Sequence, residues 1–134
     1  MNVNVIDIDD IFQSHTFIIS PKRLANKFVI LKNSDLLIFI TGKIDKFPYH
    51  AQLIEWFCNK NNLAFSWSHK PDFLEIYESD YSICGGGYVN FNQDKQKYEF
   101  YGFSTAYGRF DAKKLNNIIE NSPILDSHRI LVSN

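Results

Sequence analysis

The hydrophobic positions in the first half of the chain predict a hairpin of two buried strands. Phe28 to Lys32 is an almost continuous apolar run, and Leu36 to Thr41 is a second one. Between them, Asn33-Ser34-Asp35 supplies residues that favour a tight turn. The pattern therefore predicts two antiparallel strands with little exposed surface.

After Gly42 the hydrophobic period changes to that of a helix, from Pro48 to Asn61. One face carries the apolar set His50, Leu53, Ile54, Phe57 and Cys58, and the other carries Gln52, Glu55 and Asn59. Proline is favoured near a helix start, so His50 is predicted to lie in the first turn. The N–H groups of that turn have no acceptor within the helix, which makes the turn electropositive.

Short apolar or alternating segments predict further strands. These segments are Leu63 to Ser68, Phe73 to Glu78 (a strand or a turn of helix), Tyr81 to Cys84, Val89 to Gln93, Tyr98 to Phe103 and Arg129 to Val132. A second helix is predicted from Asp111 to Asn121, with Asp111 at its start and Pro123 after its end. The acidic stretch Asp7 to Phe12 fits either a short helix or an edge strand.

Two helices among five to seven strands predict an α/β (α+β) fold, with a mixed sheet flanked by the helices. With 134 residues, of which 45% are hydrophobic, the chain is long enough for one domain, residues 1–134, with its own core. There are 14 Lys and Arg against 15 Asp and Glu, so no overall charge draws the chain to nucleic acid or a membrane. We expect a cytoplasmic protein, because no secretory signal or membrane-spanning run is recognisable and Cys58 and Cys84 fit reduced, packed thiols.

The most informative stretch of the chain is Cys84 to Gly108. Gly85-Gly86-Gly87 is followed by a polar turn and then by Tyr101-Gly102-Phe103-Ser104-Thr105-Ala106-Tyr107-Gly108. Small residues at Ser104 to Ala106 allow close approach of the backbone, and a loop with free N–H groups before a helix is a candidate anion site. His50, at the start of the earlier helix, is predicted to share that cleft.

These motifs, in this order, resemble the protein histidine phosphatase family that includes the janus and ocnus proteins. The resemblance also takes in Tyr49-His50-Ala51, Gln93-Asp94-Lys95 and the strand Asn26 to Leu31, in which Lys27 matches the family's active-site lysine. It covers about half of the chain. The fold that it implies, a mixed sheet with flanking helices, agrees with the fold that the pattern predicts.

The resemblance implies a metal-independent hydrolase of phosphoramidate bonds that needs no cofactor. His50 would act as general base on water, with a covalent phosphohistidine intermediate as the alternative. Lys27 would supply positive charge, and backbone N–H groups of His50 and Ala51 and of the loop Ser104, Thr105 and Ala106 would hold the phosphoryl group. The implied substrates are a phosphohistidine-containing protein or a small phosphoramidate, with phospholysine as a further candidate, and the protein would be a monomer or weak dimer.

Each of these residues also has a structural interpretation. His50 fits a helix boundary, Lys27 a solvated strand end, and Ser104 and Ala106 small residues under a helix. For Gly85 to Gly87 we favour a strand bend or β-bulge. The pair Asp9-Asp10 is interpreted as surface acid and not as a metal site.

The chain departs from the family pattern at three places. Tyr88 stands where the family has an arginine, an insertion spans Phe65 to Tyr77, and residues 7–20 have no counterpart. Because Tyr88 removes a fixed cation, a non-catalytic binding protein that keeps the anion pocket is the alternative to the enzyme. Base stacking by Trp56 and Trp67 is a third, less favoured interpretation.

Overall fold

The structure is a computed structural model that describes residues 2–12, 26–77, 80–92 and 94–133. Within these residues it contains ten strands, two α-helices and a short 3-10 helix at Ser127–Arg129. The strands are β1 (Asn2–Asp7), β2 (Asn26–Asn33), β3 (Leu36–Lys43), β4 (Phe65–His69), β5 (Phe73–Ile76), β6 (Tyr81–Asn92), β7 (Lys97–Tyr101), β8 (Phe103–Ser104), β9 (Gly108–Arg109) and β10 (Ile130–Val132). The helices are α1 (His50–Lys60) and α2 (Ala112–Asn121). Gln93, Glu78 and residues 13–20, which entered the predictions above, lie outside the described residues.

Most of the strands in the described part of the chain belong to one mixed sheet. Its order is β1-β3-β2-β6-β7-β10, and the short pair β8–β9 joins it where Arg109 pairs with Gly86. The β3–β2–β6–β7 segment is antiparallel, whereas β1 and β10 add to its edges in parallel. β4 and β5 form a separate two-stranded sheet. The predicted mixed sheet with two helices is confirmed. β8 and β9, which were not predicted as separate strands, are two residues long, and the segments beginning at Tyr81 and at Val89 form the single strand β6.

The predicted hairpin is present as β2 and β3. Asn33 pairs with Leu36, and Ser34 in the turn has a φ of 52°. The residues from Phe28 to Leu31 and from Leu37 to Ile40 are all buried. The two central strands are thus apolar on both faces, because both faces are covered.

Alternate side chains of the central strands point to opposite faces of the sheet. Phe28, Ile30, Leu37 and Phe39 pack with α2 residues Leu115, Ile118 and Ile119 in one cluster, and we call this the α2 face. Val29, Leu31, Ile38 and Ile40 pack with α1 residues Leu53, Ile54 and Phe57 in the other, and we call this the α1 face. The period of two in the strands and of 3.6 in the helices therefore builds one core on each side of the sheet.

A β-bulge interrupts the pairing of β2 with β6. Leu31 pairs with Ile83, but Val29 pairs with Gly86, so β6 has one extra residue at this point. Gly85 lies in the bulge with a φ of 86°, and a Cβ there would lie 2.1 Å from the carbonyl oxygen of Arg109. The predicted bulge is confirmed, and glycine is required by both the backbone conformation and the close contact.

The acidic N-terminal stretch follows an edge strand. β1 ends at Asp7, whose carboxylate accepts hydrogen bonds from the N–H groups of Ile11 and Phe12 at 2.8 and 2.9 Å. Asp9 pairs with Lys46 at 2.7 Å, and its side chain is only 4% exposed, so the interpretation of Asp9 as a surface acid is wrong. In the described ranges, no group of three or more His, Cys, Asp and Glu side chains is placed to hold a metal ion.

Both cysteines are free thiols on opposite faces of the sheet. Cys58 is buried on the α1 face, and Cys84 packs against the core of the α2 face. Burial, together with the charge of Glu55, raises the pKa of Cys58 to about 11, so this thiol stays protonated at neutral pH. No helix in the described part of the chain is long and apolar enough to cross a membrane.

Candidate active site

His50 is the first residue of α1, as the sequence predicted. Tyr49 precedes it as N-cap, and the N–H of Tyr49 donates to the Gln52 side chain at 3.0 Å. The side chain of His50 points to the α1 face of the sheet and is only 6% exposed. His50 therefore lies at the buried N-terminal end of α1, where its ring packs against Gly86 of β6.

The imidazole of His50 is tied to the sheet by one hydrogen bond. Its Nε2 lies 2.9 Å from the carbonyl oxygen of Gly87. A carbonyl oxygen only accepts, so Nε2 carries the proton and donates it. Burial, aided by the charge of Lys27 and opposed by the Gly87 carbonyl, lowers the pKa of His50 to about 4. At neutral pH the ring is therefore neutral, and its Nδ1 carries a lone pair that can accept a proton.

Gly86 provides the space that the imidazole occupies. A Cβ at position 86 would lie 2.9 Å from Cδ2 of His50 and 2.5 Å from the carbonyl oxygen of Phe28. Gly87 supplies the acceptor, and Gly85 forms the bulge that precedes both. The glycine run thus has the structural role that we favoured, and that role is to seat His50.

Lys27 lies beside His50 and is buried rather than solvated. It is 7% exposed, so the interpretation as a solvated strand end is wrong. Its ammonium group donates a hydrogen bond to the carbonyl oxygen of Pro48, just before α1. In the described residues no carboxylate lies within ion-pair distance of it. Burial therefore lowers the pKa of Lys27, and the site holds a cation without a counter-charge.

Aromatic rings surround that cation. Nζ of Lys27 lies 5.7 Å from the ring centroid of Tyr49 and 5.8 Å from that of Tyr88. Tyr88 is the residue opposite Lys27 in the β2–β6 pairing, and its ring meets His50 edge-on at 5.6 Å. Both distances to Lys27 are within the range of cation–π attraction.

The start of α1 adds backbone donors at the same place. The N–H of Gln52 donates to the carbonyl of Tyr49 at 3.1 Å. The N–H groups of His50 and Ala51 precede it in the first turn, where the helix offers no acceptor. Both residues are buried, and Lys27 contacts the Pro48 carbonyl just before this turn, so the positive end of the helix dipole lies near Lys27 and His50.

The Ser104–Tyr107 turn approaches this region from the other side of β6. Ser104 pairs with Gly108, whose neighbour Arg109 pairs with Gly86, the residue beneath His50. Ser104 is buried, Thr105 is exposed and Ala106 is half-buried. The topology thus brings the turn beside the strand residue on which His50 lies.

A short strand separates this turn from α2. The turn does not lead directly into a helix, because β9 follows it and α2 begins only at Ala112. The N–H of Tyr107 donates to Oγ of Ser104 at 3.1 Å, so one donor of the turn is already used. Asp111 caps α2 instead, accepting from the N–H groups of Lys113 and Lys114 at 3.0 and 3.1 Å. The turn therefore gains nothing from a helix dipole.

The insertion forms the β4–β5 hairpin and packs on this turn. The Tyr107 hydroxyl accepts from the N–H of Leu74 at 2.8 Å and donates to its carbonyl at 3.0 Å, and Phe73 stacks on the Tyr107 ring. An open groove of about 420 Å³ lies there. It is lined by Phe73, Leu74, Glu75, Ile76, Tyr81, Ile83, Ala106 and Tyr107. His50 and Lys27 are not among the residues that line it.

Sequence reasoning did not find three parts of the site. The Pro48 carbonyl, the Gly87 carbonyl and the Tyr49 ring carry no side-chain signature of function, and each acts only through its position. In the sequence, Tyr88 stands out only because it replaces the arginine of the family pattern. Its place opposite Lys27 depends on the bulge in β6, which the triple glycine indicated but did not locate.

Most of the chain matches one known protein family. Residues 28–124 match the Janus/Ocnus family (Ocnus), and the match begins one residue after Lys27 and includes His50, the glycine run and the Ser104–Tyr107 turn. No curated protein matches the chain with significance. Because the matched residues make up most of the chain, the protein belongs to the Janus/Ocnus family.

Proposed function

We propose that this protein hydrolyses phosphoramidate bonds, with phosphohistidine in a protein or a small molecule as its substrate. His50 is the general base that activates water, and no metal ion takes part. The phosphatase activity that the sequence resemblance implies agrees with membership of the Janus/Ocnus family. The observation that carries the proposal is the neutral, oriented imidazole of His50 beside the unpaired cation of Lys27.

The reaction needs one proton acceptor near the attacking water. Water oxygen bonds to phosphorus while the P–N bond breaks, and the bonding electron pair goes to the leaving nitrogen, which takes up a proton from solvent water. Nδ1 of His50 receives the proton of the water. The Gly87 carbonyl keeps the ring in the tautomer that leaves Nδ1 free, and it stabilises the imidazolium that forms.

A pKa of about 4 makes His50 a weak base in the free protein. A phosphoryl dianion beside the ring favours the imidazolium, so substrate binding raises the pKa towards the working pH. The same low pKa keeps the ring unprotonated before substrate arrives. The burial of His50 thus supports its proposed role.

Lys27 and backbone donors supply the positive environment for the phosphoryl oxygens. Lys27 has no carboxylate partner in the described chain, so its charge is available to an anion. The N–H groups of His50 and Ala51 and those of Ser104 to Ala106 are the proposed further donors. Donors fixed in a buried site stabilise developing charge without reorganisation.

A second candidate is a non-catalytic protein that binds a phosphorylated partner. Tyr88 favours it, because a neutral ring lies at 5.8 Å from Lys27 where the family has an arginine. With one cation in place of two, the site would bind phosphate without strongly stabilising the transition state. This candidate predicts binding and no turnover.

The test is phosphate release from a phosphohistidine peptide and from phosphoramidate. We expect turnover by the wild type and a loss on the order of a hundredfold to ten-thousandfold in His50→Ala. His128→Ala, which removes an exposed histidine of the 3-10 helix, is the matched control and should retain the wild-type rate. Binding without release would support the second candidate, and neither binding nor release would refute both.

A further inference from the structure

Lys27 raises a physical question, because a buried ammonium group is costly without a partner. Its one hydrogen bond among the described residues goes to a neutral carbonyl, that of Pro48. No carboxylate compensates the charge in that part of the chain. A lysine in this position would ordinarily turn its flexible stem towards water.

Tyr88 is itself held in place from several directions. Its ring stacks on Tyr101 with centroids 5.9 Å apart and planes 29° apart. A Cβ on Gly102 would lie 2.7 Å from Cδ2 of Tyr88, so the left-handed glycine leaves room for the ring. His50 meets the ring on another side at 5.6 Å. The ring therefore has a fixed orientation when the ammonium group approaches it.

We propose that Tyr88 is a positioning residue of this site, whose aromatic ring holds the Lys27 ammonium group inward, beside His50, in the absence of a carboxylate. The negative face of the ring attracts the cation without neutralising its charge. A carboxylate would hold the lysine more tightly, but it would also cancel the charge that an anion needs. Tyr49 assists from the other side, at 5.7 Å.

The catalytic meaning of this arrangement rests on the proposed function, whereas the position of Lys27 does not. Three expected properties distinguish a Tyr88 ring that positions Lys27 from a Tyr88 ring that only fills space. The attraction must weaken when the ring loses its negative face, even if its shape is kept. It must survive loss of the hydroxyl group. It must also depend on the rings that contact Lys27 and not on a tyrosine far from it, such as Tyr77.

The experiment titrates Lys27 by NMR of its ε-methylene group in the full chain without substrate. Tyr88→Phe should leave the pKa of Lys27 near the wild-type value. Replacing that phenylalanine by its trifluorinated analogue keeps the shape of the ring but removes its negative face. The pKa of Lys27 should then fall by about half a unit or more, since the charged form loses its attraction.

The same replacement at Tyr77, an exposed tyrosine, is the control and should leave Lys27 unchanged. An unchanged pKa of Lys27 in the trifluorinated variant at position 88 would overturn the proposal. If that variant does not fold, the chemical shifts of Lys27 in the wild-type protein provide the test. Upfield ring-current shifts of the Lys27 ε-protons support the ring contact, and ordinary shifts overturn it.

Titration with inorganic phosphate separates this inference from the proposed function. A fluorinated variant with a lowered Lys27 pKa should bind phosphate more weakly than Tyr88→Phe. If the wild type binds no phosphate, the proposed function fails while the NMR result on Tyr88 and Lys27 still stands.

Discussion

The Nε2–H group of His50 donates to the carbonyl oxygen of Gly87 across 2.9 Å, joining the first turn of a helix to the middle of a strand 37 residues away. This bond fixes the tautomer of a buried ring that is neutral at pH 7. Because the folded protein disfavours a charged His50, protonation of this ring lowers the free energy of unfolding.

The first prediction concerns stability in acid. The unfolded chain protonates His50 near its ordinary pKa of 6.5, whereas the folded chain does so near 4. Between these values the unfolded state binds more protons, so the free energy of unfolding falls as the pH decreases through this range. The contribution of His50 to this loss is about 3 kcal/mol.

The measurement is denaturant unfolding from pH 7.5 to 3.5 in the wild type and in His50→Asn. The asparagine of the variant does not take up a proton in this pH range. Its free energy of unfolding should therefore fall by about 3 kcal/mol less than that of the wild type between pH 7.5 and 3.5. His128→Asn, at an exposed histidine, should keep the wild-type slope. Equal slopes in all three proteins would mean that His50 is not buried in the neutral form.

The second prediction concerns Lys27→Met, which keeps the length of the stem and removes the charge. Binding of inorganic phosphate should weaken at least about tenfold, the worth of one charged hydrogen bond. Stability should stay equal or rise, because an unpaired buried charge is lost. Lys32→Met, on the same strand but less buried, is the control in calorimetric titration. Unchanged phosphate affinity in Lys27→Met would contradict a role in anion binding.

The third prediction concerns Gly86→Ala. The new methyl group would overlap the His50 ring and the Phe28 carbonyl, so we expect a loss of about 1–3 kcal/mol and a displaced imidazole. Gly108→Ala is the matched glycine control, because nothing lies within 4 Å of its Cβ position and only its positive φ is strained. Histidine NMR should show the pKa of His50 rising in the first variant and not in the second.

The fourth prediction restores a cation with Tyr88→Arg. A guanidinium group beside Lys27 should tighten phosphate binding about tenfold at low salt, and added salt should reduce the gain. The second positive charge should also depress the pKa of His50 further. Tyr88→Phe controls for loss of the hydroxyl group. If phosphate affinity does not change, position 88 does not face the anion.

The sequence predicted those elements whose hydrophobic period is local. The β2–β3 hairpin and α1 have uninterrupted patterns, and both were predicted within about two residues of their observed ends. Asp111 was correctly placed at the start of α2 because an N-cap is a local hydrogen-bonding motif. The position of His50 in the first turn followed from Pro48 in the same way.

The contacts that define the site were not predictable, because they join distant parts of the chain. The burial of Lys27 requires the Pro48 loop to cover the end of β2, and nothing near Lys27 in the sequence indicates that cover. β8 and β9 are two residues long, too short for any periodicity, so the sequence predicted neither of them as a separate strand. The proposed roles of His50, Lys27 and Ser104 to Ala106 remain predictions.

The bulge at Gly85 determines which side chains of β6 lie on the α1 face, because side chains alternate between the two faces along a strand. If the same sequence continued from the Leu31–Ile83 pair as a regular ladder with no bulge, Val29 would pair with Gly85 and Lys27 with Gly87. The ammonium group would then have a glycine opposite it, and the ring of residue 88 would enter the core on the α2 face. The one extra residue in the bulge shifts all later residues of β6 to the opposite face, so the Tyr88 ring lies on the α1 face with Lys27 and His50. The remainder of β6 therefore places Tyr88 on the α1 face and Val89 in the core of the α2 face. Deleting Gly85 would remove the bulge and keep the pairs Val29–Gly86 and Lys27–Tyr88, because the deleted residue is the extra one.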